Sequence, residues 1–209
     1  MTERGPVVHV VDDDNSVRTG VVRLLKAAGY EARGYSSAGE FLLNRSEENG
    51  PGCVVLDVRM PGPSGLELQD ALARLEVPLP IVFLTGHGDI PMSVRAMKAG
   101  AIDFLTKPVS REALLGAVKN ALARGAATRA ARALAQTLRT RYETLTPRER
   151  EVFAGVVAGK LNKAIAYELG TAERTIKAHR AQVMEKMQVA SVAELVHVAE
   201  QLREGSAHS

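Results

Sequence analysis

Acidic residues stand directly after two short apolar runs in the N-terminal half of the sequence. Val7–Val11 is followed by Asp12 and Asp13, and the run Cys53–Leu56 is followed by Asp57. Both runs have the length and Gly/Pro boundaries of buried strands. The carboxyl ends of parallel strands meet at one edge of a sheet, so the three carboxylates should lie close together. Such a cluster is costly unless a cation holds it, and its hard oxygen ligands predict a Mg²⁺ site.

Two further polar residues end apolar runs, and they complete a set suited to phosphoryl chemistry. Thr85 follows Pro80–Leu84, and Lys107 comes two residues after Ala101–Leu105. A carboxylate such as Asp57 can act as a nucleophile toward a phosphoryl group, a transfer that needs a divalent ion and charge neutralisation. Thr85 can donate its hydroxyl to the phosphate, and Lys107 can pair with it as a point charge. Taken singly, the acids could form a solvated turn, Thr85 could cap a strand end, and Lys107 could be a surface charge.

Five apolar runs alternate with five helical segments over residues 7–122. The predicted strands are Val7–Val11, Tyr30–Tyr35, Cys53–Leu56, Pro80–Leu84 and Ala101–Leu105. Parallel strands need crossover connections, so strict alternation predicts an α/β fold whose parallel five-stranded sheet has helices on both faces. The second run is the most polar and is expected near an edge of the sheet.

The rest of the sequence is helical in pattern. Residues 123–144 are rich in Ala and Arg and predict a helical linker that continues the last helix of the first domain, with a flexible tether as the alternative. Four helices follow, the first opened by the capping box Thr146–Glu149. The segments Asn162–Leu169 and Ala172–Met187 fit a helix-turn-helix, with Thr171 as the expected cap of the second.

Composition limits the function classes. The 209 residues contain no apolar run of the roughly 20 residues that a membrane helix needs. The N-terminal residues lack the apolar region of a signal peptide, and Cys53 is the only cysteine. These features predict a cytoplasmic protein without a membrane partner. The net charge of +3 is uneven, because the basic excess lies in residues 123–209, which suggests that this half meets a polyanion.

Four motifs resemble the receiver domain of two-component response regulators, closest to the FixJ-type subgroup. They are VVHVVDDDNSVR, VVLDVRMPGPSGLEL, IVFLTGHGDIPMSVRAMKAGA and DFLTKP, and the resemblance spans residues 6–123. It implies a flavodoxin-like (βα)5 fold and a cis Lys107–Pro108 bond. By position it implies phosphorylation at Asp57, phosphate sensing by Thr85 and Lys107, and a rotating aromatic switch at Phe104. It also implies that Mg²⁺ is bound by Asp13, by Asp57 and by the backbone carbonyl of Arg59, and through a water molecule by Asp12.

The stretch LTPREREVFAGVVAGKLNKAIAYELGTAERTIKAHRAQVMEKM resembles the four-helix DNA-binding domain of the LuxR/NarL type, over about Leu145–Leu202. The resemblance implies a recognition helix in the major groove. It implies base-facing positions at Lys177, Ala178 and Ala181, phosphate-facing positions at Lys163, Thr175 and His179, and either role for Arg180. The simpler interpretation is that the basic residues form a solvated helix face.

Together the resemblances imply a DNA-binding transcriptional response regulator that a cognate sensor histidine kinase activates by phosphorylating Asp57. They imply a homodimer formed through the face Met92–Leu122, binding to promoter DNA and a possible contact with RNA polymerase. The predicted domains are residues 1–123 (receiver), 124–144 (linker) and 145–209 (DNA-binding). The protein is expected not to be an enzyme beyond self-phosphorylation and slow self-dephosphorylation.

Two other hypotheses about the function remain open at this point. The first is a phosphorylation-independent regulator that dimerises constitutively through the linker helix, although such a protein would not need the complete acidic pocket. The second is a Mg²⁺-dependent phosphatase acting on small molecules, which would leave the C-terminal half without a role.

Overall fold

The computed structural model describes residues 5–45, 50–74, 78–86 and 90–206 of the chain. The chain divides into two compact units, Met1–Arg129 and Ala130–Ser209. The first unit has two hydrophobic clusters and the second has one, so each unit has a core of its own.

The first unit is built on a parallel five-stranded sheet. Its strands are β1 (Val7–Val11), β2 (Glu31–Tyr35), β3 (Gly52–Leu56), β4 (Ile81–Thr85) and β5 (Asp103–Thr106). They lie in the order β2-β1-β3-β4-β5, and each neighbouring pair is parallel. β1, β3 and β4 are buried along their whole length, whereas the edge strand β2 has exposed positions. The α/β fold and the edge position of the polar strand are therefore confirmed.

Helices cover both faces of this sheet. They are α1 (Asn15–Ala27), α2 (Ala38–Arg45), α3 (Gly65–Ala73), α4 (Ile90–Lys98) and α5 (Arg111–Glu143). On one face, Phe41 of α2 and Leu72 of α3 pack with Phe83 of the sheet. On the other face, Leu25 of α1 and Leu114 of α5 pack against the strands. This two-layered core explains the continuous apolar runs of the central strands, because both of their faces are buried.

Two helices begin directly after loops that leave the carboxyl edge of the sheet. Asp14 caps α1, its Oδ1 accepting hydrogen bonds from the backbone N–H groups of Ser16 at 2.7 Å and Val17 at 3.1 Å. Ser64 and Glu67 form a capping box at α3. These caps satisfy backbone donors that the first helical turn leaves free, and so they fix where the loops end.

Helix α5 extends well beyond the end predicted for the last receiver helix. It is one continuous helix of 33 residues, which includes nearly all of the stretch predicted as a linker. Val118 packs in the core of the first unit, and Leu138 belongs to the core of the second. Gly125 lies so close to the sheet that a Cβ there would be 2.9 Å from Pro80 Cγ. Among the described residues, no helix has the length and apolar character to cross a membrane.

Four helices follow in the second unit. They are α6 (Pro147–Val157), α7 (Asn162–Glu168), α8 (Glu173–Met187) and α9 (Val192–Ser206). The capping box of Thr146 and Glu149 is present, as predicted. The expectation that Thr171 caps α8 is wrong, because Ala172 holds the cap position without a side-chain bond. Thr171 instead donates its N–H to Ala166 O at 3.0 Å, a bond that closes the preceding helix.

Candidate functional site

The strand ends bring the acidic and basic residues of the N-terminal half to one edge of the sheet. β1 and β3 are neighbours, and the N–H of Asp57 donates to Val11 O at 2.9 Å. Asp12 and Asp57 therefore leave adjacent strands at the same level. On the other side of β3, Thr85 ends β4, and its carbonyl accepts a hydrogen bond from the N–H of Lys107 at 2.8 Å.

Asp12, Asp13 and Asp57 form a compact group of carboxylates. One oxygen from each lies within 4.8 Å of the others. Asp12 and Asp57 are buried, whereas Asp13 is exposed. Mg²⁺ is bound by a few carboxylates and retains several waters, so hard donors that converge beside solvent fit this ion. Arg59 donates its N–H to Asp57 Oδ1 at 3.3 Å, and ligation through its carbonyl stays a prediction.

Lys107 bridges two of the carboxylates. Its Nζ lies 2.6 Å from Asp12 Oδ2 and 2.7 Å from Asp57 Oδ2. Burial raises the pKa of Asp12, and the hydrogen bond and charge of Lys107 oppose that change without cancelling it. For Lys107 burial acts to lower the pKa, but its bonds to the two carboxylates outweigh burial and raise the pKa. The ammonium group is therefore charged at neutral pH and offsets part of the carboxylate charge.

The loop after Asp57 depends on Gly65, a residue to which the sequence analysis assigned no role. A Cβ at Gly65 would lie 2.1 Å from the carbonyl oxygen of Asp57, so only glycine fits at this position. The Gly65 N–H donates to Val58 O at 2.9 Å, which holds the start of α3 against the loop. This close approach to Asp57 is a tertiary distance, and the position of Gly65 after the helix cap Ser64 did not reveal it.

Thr85 and Phe104 lie where the sequence interpretation expects a phosphate sensor and a switch residue. Thr85 is fully buried at the end of β4. Phe104 is half-buried in β5, with its ring centroid 5.8 Å from that of Phe83. The Lys107–Pro108 peptide bond is cis, in agreement with the expectation. The sensing and switching roles of the two side chains stay predictions.

In the second unit, α7 and α8 form the predicted helix-turn-helix. Ile165 of α7 and Ile176 of α8 are buried in a common core. Gly170 adopts the left-handed conformation, with a φ of 61°, between the two helices. Arg180 of α8 donates from Nη1 to Asn162 Oδ1 at 3.1 Å, so a side-chain bond also joins the helices.

The predicted DNA-facing residues differ in exposure. Lys163, Thr175, Lys177, Ala178 and Ala181 are exposed, whereas His179 and Arg180 are half-buried. Lys177 Nζ lies 3.4 Å from Glu173 Oε1, a weak and exposed pair that leaves the lysine able to reach a ligand. Arg180 is held against α7 by its bond to Asn162, so it is less available than the sequence suggested.

The two units thus pair a phosphoacceptor-like acidic pocket with a DNA-binding type of helix-turn-helix, and two family profiles match them. The profile of the response regulator receiver domain matches residues 8–119, and that of the bacterial regulatory proteins of the luxR family matches residues 143–199. The chain therefore belongs to the two-component response regulators, and it is a transcription regulator with a LuxR-type DNA-binding domain.

Curated relatives share this arrangement over nearly their whole length. The response regulator protein TodT of Pseudomonas putida is 44% identical over 204 residues, which cover 98% of this chain and 89% of the relative. Nodulation protein W of Bradyrhizobium diazoefficiens is 45% identical over 203 residues, or 97% of this chain and 89% of the relative. The transcriptional regulatory protein FixJ of the same organism is 42% identical over 199 residues, or 95% of this chain and 96% of the relative.

Solved structures show the same fold. The response regulator StyR is 49% identical, with a TM-score of 0.84 over 95% of this chain and 100% of that chain. Full-length FixJ from B. japonicum is 40% identical, with a TM-score of 0.57 over 95% of this chain and 98% of that chain.

Proposed function

We propose that this protein is a transcription regulator that a sensor histidine kinase switches on by phosphorylating Asp57. The observation that supports this function best is the acidic pocket. A carboxylate with 8% exposure lies at a strand end, beside two further acids and 2.7 Å from a lysine ammonium. A surface turn would not bury opposite charges in this arrangement, because the desolvation penalty of such groups is large.

The proposed chemistry is an in-line transfer to Asp57. A carboxylate oxygen of Asp57 attacks the phosphorus of the kinase's phosphohistidine, the P–N bond breaks, and the imidazole leaves with the electron pair. Lys107 then moves its hydrogen bond from the carboxylate to a phosphoryl oxygen. Mg²⁺ held by Asp12, Asp13, Asp57 and the Arg59 carbonyl would neutralise charge on the phosphoryl oxygens. The Thr85 hydroxyl would hydrogen-bond the new phosphoryl group. We expect only slow self-dephosphorylation beyond this step.

The proposed output surface is the face Met92–Leu122, formed by α4, β5 and the first part of α5. Val94 and Met97 of this face are each 45% exposed, and Ile90, at the start of α4 just before the face, is 79% exposed. Ala96 is the only residue of α4 that is buried among those described. A lightly anchored helix with apolar side chains in solvent can shift and then pair with a second copy. In this proposal Thr85 moves toward the phosphate, Phe104 turns inward, and the face becomes competent to dimerise.

Dimerisation would bring two DNA-binding units to two half-sites of a promoter. Affinity would then rise through effective concentration rather than through new base contacts. We assign Lys177, Ala178 and Ala181 to bases and Lys163, Thr175 and His179 to phosphates, with Arg180 in a secondary role.

We propose the domain boundaries 1–123, 124–144 and 145–209, since the division between the compact units falls within the proposed linker. These activities place the protein in the cytoplasm, where RNA polymerase would be a further partner.

Sedimentation of the full-length protein tests this function. We expect a monomer without additions and a dimer with Mg²⁺ and beryllofluoride, a mimic of the phosphoryl group on Asp57. Asp57→Asn should stay monomeric, and Met97→Glu should lose the dimer. The matched control is Leu43→Glu, because Leu43 is 78% exposed on α2, outside the proposed face. A mass that does not respond to the mimic would refute the proposal.

The second candidate, a constitutive dimer formed through the linker, has one supporting observation. Leu134 is 47% exposed on the long helix α5. If this candidate is correct, the protein sediments as a dimer with or without the mimic, and Leu134→Glu converts it to a monomer. The same instrument therefore separates the two functions.

A further inference from the structure

The side chain of Arg18 reaches back from α1 to the loop that carries the acidic pair. Its Nη1 donates to the backbone carbonyl of Asp12 at 2.6 Å and lies 3.4 Å from the carbonyl of Asp13. Its Nη2 donates to Asn15 Oδ1 at 2.9 Å. The guanidinium group thus contacts the main chain of both residues whose carboxylates belong to the pocket, without contacting those carboxylates.

The other hydrogen bonds of the loop act on different groups, among them the capping bonds to the Asp14 side chain. The N–H of Asp12 donates to Tyr35 O at 3.1 Å, and the N–H of Asp14 donates to Asp12 Oδ1 at 2.9 Å. Neither bond restrains the carbonyl of Asp12 or Asp13. Because Asp13 is exposed, its carboxylate has no packing to orient it. Nη1 contacts both carbonyls, and Nη2 ties the same planar group to the Asn15 side chain, an arrangement of two fixed nitrogens that a single ammonium nitrogen does not provide.

The neighbouring strand leaves room for this side chain. A Cβ at Gly34 of β2 would lie 3.0 Å from Arg18 Cγ and 3.2 Å from Arg18 Cδ. These distances are tight, so a larger side chain at position 34 would push the arginine stem away from the sheet. The path of Arg18 to the loop therefore depends on a glycine in a strand, where glycine is otherwise unfavourable.

From these contacts we infer that Arg18 is a positioning residue for the cation site: it fixes the backbone from which the Asp12 and Asp13 carboxylates reach the ion. Groups that orient metal ligands commonly change metal affinity by about 10- to 100-fold when they are removed. The inference rests on the proposed phosphoacceptor site and adds to it a determinant of Mg²⁺ affinity outside the carboxylates.

Calorimetric titration of the full-length protein with Mg²⁺ tests the inference. Arg18→Met should raise the Kd for Mg²⁺ about tenfold. The matched control is Arg23→Met on the same helix, because the Arg23 side chain is exposed and has no hydrogen bond or ion pair with any described residue. This control should change the Kd by less than about twofold. If Arg18→Met binds Mg²⁺ as tightly as Arg23→Met, the inference is overturned.

Arg18→Lys separates the geometry of the fork from charge alone. We expect lysine to recover only part of the lost affinity, because its one nitrogen lacks the second, fixed arm that ties the guanidinium group to Asn15. Full recovery would overturn the role of the fork.

Gly34→Val gives an independent route to the same result, because it displaces Arg18 without removing it. Valine is favourable in a strand, so the fold should tolerate it. We expect this variant to weaken Mg²⁺ binding in the wild-type background and to add nothing in the Arg18→Met background. Fully additive effects would overturn the inference. A wild-type protein that bound no Mg²⁺ would instead refute the proposed phosphoacceptor site.

Discussion

Replacing Lys107 with methionine tests how the acidic pocket is stabilised without a metal ion. The lysine side chain is 19% exposed, and the carboxylate partners Asp12 and Asp57 are 4% and 10% exposed. Methionine retains much of the aliphatic stem but removes the ammonium group. Two buried carboxylates would then face each other without a counter-charge. Removing one partner of a buried ion pair is strongly destabilising, because it leaves buried charge uncompensated.

The size of the effect follows from the distances. With an effective dielectric constant of about 20, two unit charges at the 2.6 Å and 2.7 Å separations seen here attract by roughly 6 kcal/mol for each pair. Desolvation offsets part of this attraction, and removing one partner of a buried pair typically costs about 3–5 kcal/mol. Because Lys107 keeps some contact with water, we expect the low end, about 3 kcal/mol. That value corresponds to roughly a 150-fold change in the opening equilibrium.

Hydrogen exchange in β1 and β3 of the full-length protein, measured by mass spectrometry in EDTA, reports this equilibrium. Lys107→Met should accelerate exchange there by roughly 150-fold. The control is Lys98→Met, since Lys98 is exposed on α4 and has no polar partner among the described residues. Mg²⁺ should slow exchange more in Lys107→Met than in the wild type, because it supplies the missing charge. Equal exchange in the two variants would refute this account.

Three further outcomes follow from the structure. Gly65→Ala places a methyl group 2.1 Å from the Asp57 carbonyl oxygen, so phosphorylation by acetyl phosphate, followed by intact-mass spectrometry, should slow about a hundredfold. The hydrogen bond from Lys186, at 2.6 Å, is the main cause that lowers the pKa of Glu149 below 4.5. The stability that this ion pair contributes is present above pH 4.5 and is lost as the pH falls through the lowered pKa. Glu149→Gln should therefore cost about 1 kcal/mol at neutral pH and flatten the acid dependence of thermal unfolding. Lys177→Ala should weaken promoter binding about tenfold in fluorescence anisotropy and lower the preference over scrambled DNA.

Each of these has a matched control. A Cβ at Gly116 of α5 would meet nothing within 4 Å, so Gly116→Ala should leave phosphorylation unchanged. Glu151 pairs with Arg148 through a side chain that is 51% exposed, and Glu151→Gln should keep the acid dependence of the wild type. Lys163→Ala should weaken binding to promoter and scrambled DNA alike. A result in which a control matches its partner variant would contradict the corresponding assignment.

The acidic pocket could be predicted from sequence because strand ends are a local signal. Apolar runs of strand length ended at Asp12, Asp57 and Thr85, and the parallel topology then required these residues to share an edge. Gly65 and Arg18 could not be assigned in this way. Their roles depend on the approach of side chains or Cβ positions to carbonyl groups, a distance that neither periodicity nor residue type encodes.

Some helix boundaries could likewise be predicted from the sequence, whereas others could not. The capping box at Thr146 was predictable because its residues and spacing are fixed by local hydrogen bonding. The cap expected at Thr171 was wrong, because Ala172 holds the cap position of α8, and Thr171 closes α7 through its N–H. Past Leu122 the sequence pattern favoured a helix but left a tether open. The structure has a helix in this segment, and Leu138 of that helix packs in the core of the second unit.

The surface of α8 also sets how much sequence a single copy can distinguish. Two of the three positions assigned to bases are the exposed alanines Ala178 and Ala181, and Arg180 is already bonded to Asn162. Methyl groups can favour thymine but cannot tell apart the hydrogen-bonding edges of the other bases. A genome offers about 10⁶–10⁹ competing sites, so one such helix could not single out a promoter among them. In the proposed function, reading two half-sites at once would multiply the discrimination, so pairing would serve the search for the target as well as the switch.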